Sequence, residues 1–293
     1  MTSKSSTGPI TDLTGFITKT MEYAERETRF KCYRGQRDSS WRNVPGLFRP
    51  DLVNLEACEK RAVRDLISVH PHEFRDDETM FDRLVRMQHF GLPTRLMDVS
   101  RNPLVALYFA TDPGPAGETS DGVVTAFAVP EEREKYFDSD SVSCMANLAN
   151  MTKDEKAEII ALGHATGTGD KAAKVEAMNR KKVYQRLYQF IRVEKSHFLP
   201  DIDPMDLFKP YYVHPKMSNR RILAQAGGFI IHGVQSGEPI NYRQPIVETR
   251  FVIPAGAKAD LRKALDLLGI TESTLFPEID KAARRIETSY SRP

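Results

Sequence analysis

The chain has 293 residues, with 42 Lys and Arg against 40 Asp and Glu, and a formal net charge of +2. Hydrophobic residues make up 40% and charged residues 28%, which is typical of a globular protein. No apolar run approaches the roughly 18 residues that a membrane span needs, so we expect no membrane association. This net charge neither demands nor excludes a nucleic-acid partner, so any such contact must be argued from local charge.

The three cysteines, Cys32, Cys58 and Cys144, are odd in number and lack CxxC spacing. This pattern predicts neither a disulfide framework nor a zinc site, and it suits a reducing cytoplasm. Residues 1–9 are polar and lack the apolar core of a signal peptide, so we expect a disordered N-terminus and a cytoplasmic protein.

The first half of the chain alternates helices with short strands. Apolar residues at helical spacing predict helices over 10–28, 53–71, 76–89 and 103–111. Runs with β character that are bounded by Gly or Pro predict strands over 30–35, 94–99 and 123–129.

The middle of the chain, 131–200, is charged, prone to helix and interrupted between Gly163 and Gly169, and it shows no strand signal. Strands resume at 228–232 and 247–253, and helices follow at 257–268 and about 278–287. The sequence therefore predicts an α+β protein whose core has a first part, 10–130, a helical insertion, 131–200, and a second part, 201–293.

An arginine lies at the end of the first predicted strand, in Tyr33-Arg34-Gly35-Gln36. The planar fork of Arg34 suits a pyrophosphate or carboxylate held through two hydrogen bonds, and Gly35 allows a ligand to approach the backbone. The alternative interpretation is a structural or solvent-facing arginine.

The segment 94–100 carries the densest set of polar groups. In a strand, Thr94, Asp98 and Ser100 share one face and Arg95 lies on the other, which is typical of a lined pocket. Alternatively, Asp98 or Ser100 caps the helix that begins near Pro103.

His89 and Gln225 are further candidates near glycines. His89 ends a predicted helix, where it either caps the helix or contributes to a site. Gln225 precedes Gly227 and Gly228, which allow close approach to a ribose or base, and a bulge at the start of a strand is the alternative. The histidine spacings match no metal motif, so we expect no metal.

One helical segment interleaves cations with tyrosines. Val183, Leu187, Phe190 and Ile191 form its predicted buried stripe. The remaining residues suit phosphate neutralisation and base stacking, or else form a solvated face: Arg180, Lys181, Tyr184, Tyr188 and Arg192.

Together these segments resemble the FRG-domain family, whose Phe-Arg-Gly motif corresponds here to Tyr33-Arg34-Gly35. The resemblance continues through further segments: Trp41, 45–49, 88–98, 104–110, 221–229 and 269–280. The family usually has Leu-Leu-Asp-Trp and Phe-Pro-Asp, and this chain departs from it at Met97, Val99 and Glu278.

A second resemblance is to ADP-ribosyltransferases, in which an arginine, a Ser-Thr-Ser strand and a glutamate follow in that order. Residues 98–110 are similar to the second element and 247–256 to the third. Arg250 occupies the usual place of the glutamate, so Glu248 and Glu278 are the alternative carboxylates. Glu278 follows a proline, where an acidic residue also serves to open a helix.

This resemblance implies an ADP-ribosyltransferase-like split β-sheet core and a site for NAD as substrate. It implies catalytic roles for Arg34 and Ser100, with Glu248 or Glu278. The residues that it implies around NAD are Tyr33, Gly35, Gln36, His89, Thr94, Arg95, Asp98 and Gln225. Cleavage of the nicotinamide–ribose bond passes through an oxocarbenium-like state, which a carboxylate stabilises without a metal.

The resemblance further implies an NAD-dependent mono-ADP-ribosyltransferase toxin of a bacterial phage-defence toxin–antitoxin system. Its expected acceptor is RNA, specifically mRNA bases, and its expected partner is a neutralising antitoxin, with or without a chaperone. The alternatives are a non-catalytic module that binds nucleotides or RNA, and a nuclease-type toxin.

Overall fold

The computed structural model describes residues 2–4, 8–114, 119–165, 170–201, 203–217, 219–235 and 244–277. They form a mixed α+β structure around one eight-stranded sheet of order β1-β8-β4-β2-β3-β7-β6-β5. The strands are β1 Thr2–Lys4, β2 Phe30–Gln36, β3 Leu96–Ser100, β4 Gly122–Val129, β5 Glu134–Tyr136, β6 Tyr211–His214, β7 Gly227–Ile231 and β8 Val247–Ile253. The predicted α+β class is confirmed.

The helices within these ranges flank the sheet. They are α1 Leu13–Arg26, α2 Val53–Ala57, α3 Glu59–Val69, α4 Met80–His89, α5 Pro103–Ala110, α6 Asp140–Asn147, α7 Lys153–Ala165, α8 Lys171–Asn179, α9 Lys182–Glu194, α10 Arg220–Ala224, α11 Lys258–Leu267 and α12 Glu272–Leu275. A single predicted helix over 53–71 is two helices that meet at Cys58. The helix predicted over 278–287 lies outside the described residues.

Three strands differ from the sequence predictions. β5 lies within the segment 131–200, which we expected to lack strands, and β6 was not predicted. β1 lies within the N-terminus that we expected to be disordered, and it pairs in parallel with β8. Each is only three or four residues long, which is too short for a period of two to stand out.

The sheet curls around one of its faces, because buried residues from β2, β3, β4, β6 and β7 form a single cluster there. Phe30 of β2 and Tyr212 of β6 meet across this face with ring centroids 4.5 Å apart. We call it the inner face, and the other the outer face. On the outer face α5 and α11 cover one half of the sheet. Helices α4, α6 and α9 cover the other half in a cluster that also includes α3. Segment 131–200 therefore shares its core with the first part of the chain.

Strands β2 and β3 pair at one position, Tyr33 opposite Ser100. By contrast, β2 pairs with β4 along all of Phe30–Gln36. We call the gap between β2 and β3 beyond this pair the sheet opening. The helix α5 packs against β2 at this point, where a Cβ on Gly35 would lie 1.8 Å from the Ala106 carbonyl oxygen. The missing side chain of Gly35 thus admits the backbone of α5, and the expectation that a ligand approaches Gly35 stays a prediction.

A buried ion cluster ties β3 to the helices. Arg95, which is 1% exposed, donates to both carboxylate oxygens of Glu59, at 2.9 Å from Nε and 2.5 Å from Nη2. Its Nη1 donates to the carbonyl oxygens of His232 and Gly233. Lys156 Nζ lies 2.7 Å from Glu59 Oε2. Burial raises the pKa of Glu59, but the two cations outweigh burial and lower it overall. Arg95, expected to contact NAD, thus anchors the fold instead.

Replacing Gly35 tests the contact between α5 and β2. We expect Gly35→Ala to lower the free energy of unfolding by about 1–3 kcal/mol, because the added methyl group would overlap the Ala106 carbonyl oxygen. Chemical denaturation measures this loss. Gly256→Ala is the matched control, because nothing lies within 4 Å of its added Cβ. Equal stability of the two variants would contradict the close approach.

Removing Glu59 tests the buried cluster. We expect Glu59→Ala to lower the free energy of unfolding by about 3–5 kcal/mol, since the Arg95 guanidinium would be left buried and uncompensated. The control is Glu22→Ala, whose exposed pair with Arg26 contributes about 0–1 kcal/mol. Denaturant titration compares the two variants, and a loss no larger than the control would show that the cluster does not stabilise the fold.

Candidate functional site

The sheet opening is spanned by Arg34, whose Nη1 donates to the carbonyl oxygen of Asp98 at 2.7 Å. If the pairing of Tyr33 with Ser100 continued, Gly35 would face Asp98. The guanidinium thus takes the place of a strand partner and satisfies a backbone acceptor. The strand predicted over 30–35 continues to Gln36, so Arg34 lies within β2, two residues before its end.

Burial lowers the pKa of Arg34; the nearby Asp98 carboxylate opposes this shift and Arg49 adds to it. The guanidinium still remains protonated. Its Nε is buried and has no hydrogen-bond partner among the described residues. An unpaired buried donor costs about 1–3 kcal/mol, and the cost is higher on a charged group. The arginine is therefore suited to an anionic ligand that supplies the missing acceptor.

A chain of side chains fixes Asp98. Thr94 Oγ1 donates to Gln88 Oε1 at 2.5 Å, and Gln88 Nε2 donates to Asp98 Oδ2 at 2.7 Å. Thr94 is only 2% exposed, so it positions Asp98 through Gln88. We had predicted instead that Thr94 lines a pocket. Gln88, which we did not predict as a site residue, links the end of α4 to the opening. Asp98 itself is exposed.

Ser100 holds the turn before β7. Its hydroxyl donates to the Gln225 carbonyl oxygen at 2.6 Å and accepts from the Asn102 amide at 2.9 Å. The next residue in that turn, Ala226, has a φ of 44°, a conformation that costs a non-glycine residue energy. The cap of α5 is Asn102, which accepts from the Leu104 amide at 2.9 Å, and neither Asp98 nor Ser100 takes that role.

The outer side of the opening is a small cavity of about 160 Å³. Six of the predicted site residues line it: Tyr33, Arg34, Gly35, Asp98, Ser100 and Gln225. Arg221 lines it as well, with its guanidinium 4.7 Å from the Phe276 ring centroid. Arg221 was not among the predicted site residues, and its signal in the sequence is the Arg220-Arg221 pair shortly before Gln225. His89 lines an adjoining cavity with Gln88 and Asp98.

The predicted carboxylate Glu248 lies on the inner face. Thr125 stands opposite Arg34 in β2 and opposite Arg250 in β8, so strand alternation puts all three residues and Glu248 on one face. Asn43 Nδ2 donates to Thr125 Oγ1 at 3.2 Å and to Glu248 Oε2 at 2.9 Å. Ser100, opposite Tyr33, is on the outer face. Arg34 therefore belongs to both sides of the sheet opening: its position in β2 is on the inner face, and it also lines the outer cavity.

Glu248 is 9% exposed, and its burial raises the pKa of its carboxyl group even though Asn43 and Arg250 oppose the shift. It lines an inner-face cleft of about 400 Å³ together with Trp41, Arg42 and His232. The Arg250 guanidinium donates to the Ser39 carbonyl oxygen and so holds the loop that carries Trp41 and Arg42. The other predicted carboxylate, Glu278, lies outside the described residues.

The predicted nucleic-acid face on α9 is partly wrong. Tyr184 and Tyr188 are 1% and 6% exposed and belong to the core, because the phenol rings pack as apolar groups. They are therefore closed to base stacking. Arg180, Lys181 and Arg192 are exposed, and Arg180 pairs with Glu176.

Two broader features bear on the class of protein. Within the described ranges, no group of three His, Cys, Asp or Glu residues is placed to hold a metal ion. None of the helices in these ranges has the length and apolar character that crossing a membrane requires.

Comparison with known proteins gave one match. Searches of curated proteins and of solved structures found no similar chain. The family model of the FRG domain matches residues 30–118, a segment that contains Arg34, Gln88, Asp98 and Ser100. This match supports the predicted resemblance to the FRG-domain family over a segment that contains the sheet opening.

Proposed function

We propose that the protein is an NAD-dependent mono-ADP-ribosyltransferase that modifies RNA on a base and acts as the toxin of a phage-defence toxin–antitoxin system. The observation that carries the proposal is the position of Arg34. It spans the sheet opening with an unpaired, buried Nε, and it shares the inner face with the buried carboxylate Glu248.

Arg34 is proposed to bind the pyrophosphate of NAD. One of its donors is used by the Asp98 carbonyl oxygen, which fixes the orientation of the guanidinium and leaves Nε for a phosphate oxygen. Arg221 lines the same cavity and brings a second positive charge. Two guanidinium groups match the charge of a pyrophosphate.

Asp98 is proposed to accept hydrogen bonds from ribose hydroxyl groups, because its carboxylate is exposed and Gln88 fixes its orientation. Ser100 was predicted to act directly. Since its hydroxyl already bonds the Gln225 carbonyl oxygen, we assign it the positioning of the turn that carries Gln225.

Glu248 is proposed to act on the reacting ribose. As the bond from ribose C1′ to nicotinamide breaks, the electron pair leaves with nicotinamide and C1′ becomes cationic. The Glu248 carboxylate stabilises this charge, and it receives the proton that the acceptor loses when its lone pair forms the new bond to C1′. Asn43 keeps the carboxylate oriented during the step.

Transfer of label from NAD tests the proposal. With NAD labelled in its adenylate phosphate and separate pools of RNA, DNA and protein, we expect label on RNA. Arg34→Lys loses the planar fork and Glu248→Gln loses the charge, so each should lower the rate roughly 100-fold or more. Arg26→Lys is the matched control, because Arg26 is exposed and pairs only with Glu22 in the described part of the chain.

Other results of the same experiment would replace the proposal. Shortening of RNA without NAD indicates a nuclease-type toxin. NAD or RNA that binds but is never converted indicates a non-catalytic module. Label on protein or DNA alone would contradict RNA as the acceptor.

The pH dependence of transfer tests the role of Glu248. Burial raises the pKa of this carboxyl group, so the ionised form that stabilises the cation is lost on acidification at a higher pH than for an exposed glutamate of pKa about 4.3. We expect the acid limb of the rate profile to lie above that value. The limb should vanish in Glu248→Gln; its persistence there would exclude Glu248 as the titrating group.

A further inference from the structure

We propose that the inner-face cleft binds one unpaired nucleotide of a single strand, with its base against Trp41 and its phosphate against Arg42 and Arg250. The role of this nucleotide as the acceptor of ADP-ribose rests on the proposed function. Its binding in the cleft does not. It moves the main nucleic-acid contact from α9 to the loop 37–44.

The size and lining of the cleft suit a nucleotide. Its volume of about 400 Å³ lies within the range of small-molecule sites. Charged and polar side chains predominate in its wall, with Arg42 and Arg250 against the single carboxylate of Glu248. The net positive charge favours a ligand that carries a phosphate.

Buried polar atoms without a partner lie at and beside this cleft. Three such atoms have no hydrogen-bond partner among the described residues: Asn43 Oδ1 and His232 Nε2, whose residues line the cleft, and Gln36 Oε1 next to it. Gln36 adjoins the cleft because its Nε2 donates to the Arg42 carbonyl oxygen at 3.3 Å. Donors and acceptors that lack partners together indicate a polar ligand with both kinds of group, as the edge of a base has.

His232 favours a base, and not a second phosphate group, as the part of the ligand that it contacts. It is 8% exposed, and burial, with the guanidinium groups of Arg95 and Arg34 acting in the same direction, lowers its pKa to about 3. The imidazole is therefore neutral at physiological pH and offers one donor and one acceptor. A neutral ring adds hydrogen bonds without extra charge.

Trp41 supplies a surface for stacking. The residue is 39% exposed, and the Arg37 guanidinium lies 4.9 Å from the centroid of its ring. A partly exposed indole can stack on an unpaired base. A base that is paired within a duplex cannot reach it. The cleft should therefore prefer single strands.

The test uses Trp41 itself, which is the only tryptophan of the chain. With no NAD present, titration of the 293-residue chain with a single-stranded RNA hexamer should quench Trp41 fluorescence saturably. The matching RNA duplex and inorganic phosphate should not. Arg42→Ala and His232→Gln should each weaken binding roughly tenfold, whereas Arg64→Ala, an exposed arginine of α3, should leave it unchanged. A single-stranded DNA arm tests whether the 2′-hydroxyl contributes.

A second measurement guards against misfolded variants. Anisotropy of fluorescently labelled RNA should show retained binding in Trp41→Phe, which keeps an aromatic ring, and weakened binding in Trp41→Ala. No saturable quenching, equal quenching by the duplex, or binding that Arg42→Ala leaves unchanged would overturn the inference. If RNA quenches Trp41 but no label is transferred from NAD, the inference stands and the proposed function fails. If label is transferred to RNA but Trp41 fluorescence does not change, this cleft is rejected as the binding site and the proposed function stands.

Discussion

The separation of β2 from β3 is the constraint on which the site depends. Two neighbouring strands that pair once and then diverge leave backbone groups without partners, and buried backbone groups must be satisfied. Here the Arg34 guanidinium satisfies the Asp98 carbonyl oxygen, while the missing side chain of Gly35 lets α5 pack against β2 at the same point. A structural requirement therefore places a cation in the sheet opening, and its remaining donors are left for a ligand.

Much of this fold follows from local sequence patterns. The strands at 30–36, 122–129 and 247–253 and the helices α1, α5 and α11 were predicted within a few residues, because their apolar spacing and their Gly or Pro boundaries are clear. Short strands were missed, since three or four residues show no period and depend on pairing with distant partners. The register that separates β2 from β3 is equally non-local.

The same distinction separates the site residues that sequence could find from those that it could not. Arg34, Asp98 and Ser100 lie in one Gly- and Pro-punctuated pattern and meet at the opening. Arg95 fits that pattern equally well, yet its role is set by Glu59, 36 residues earlier in the chain. Tyr184 and Tyr188 were misplaced because a phenol is polar at its tip and apolar along its ring. Residue type alone does not determine whether a tyrosine ring packs in the core or remains accessible to a ligand.

Position 250 shows how a departure from an expected motif is accommodated. Residues 248 and 250 share one face of β8, so a carboxylate moved by two positions stays on the inner face. Arg250 then holds the Ser39 carbonyl oxygen and fixes the loop that carries Asn43, and Asn43 in turn donates to Glu248. The arginine thus supports the neighbouring carboxylate through the loop. This arrangement favours Glu248 as the acidic group of the inner face, because Asn43 orients its carboxylate and Arg250 holds the loop that carries Asn43.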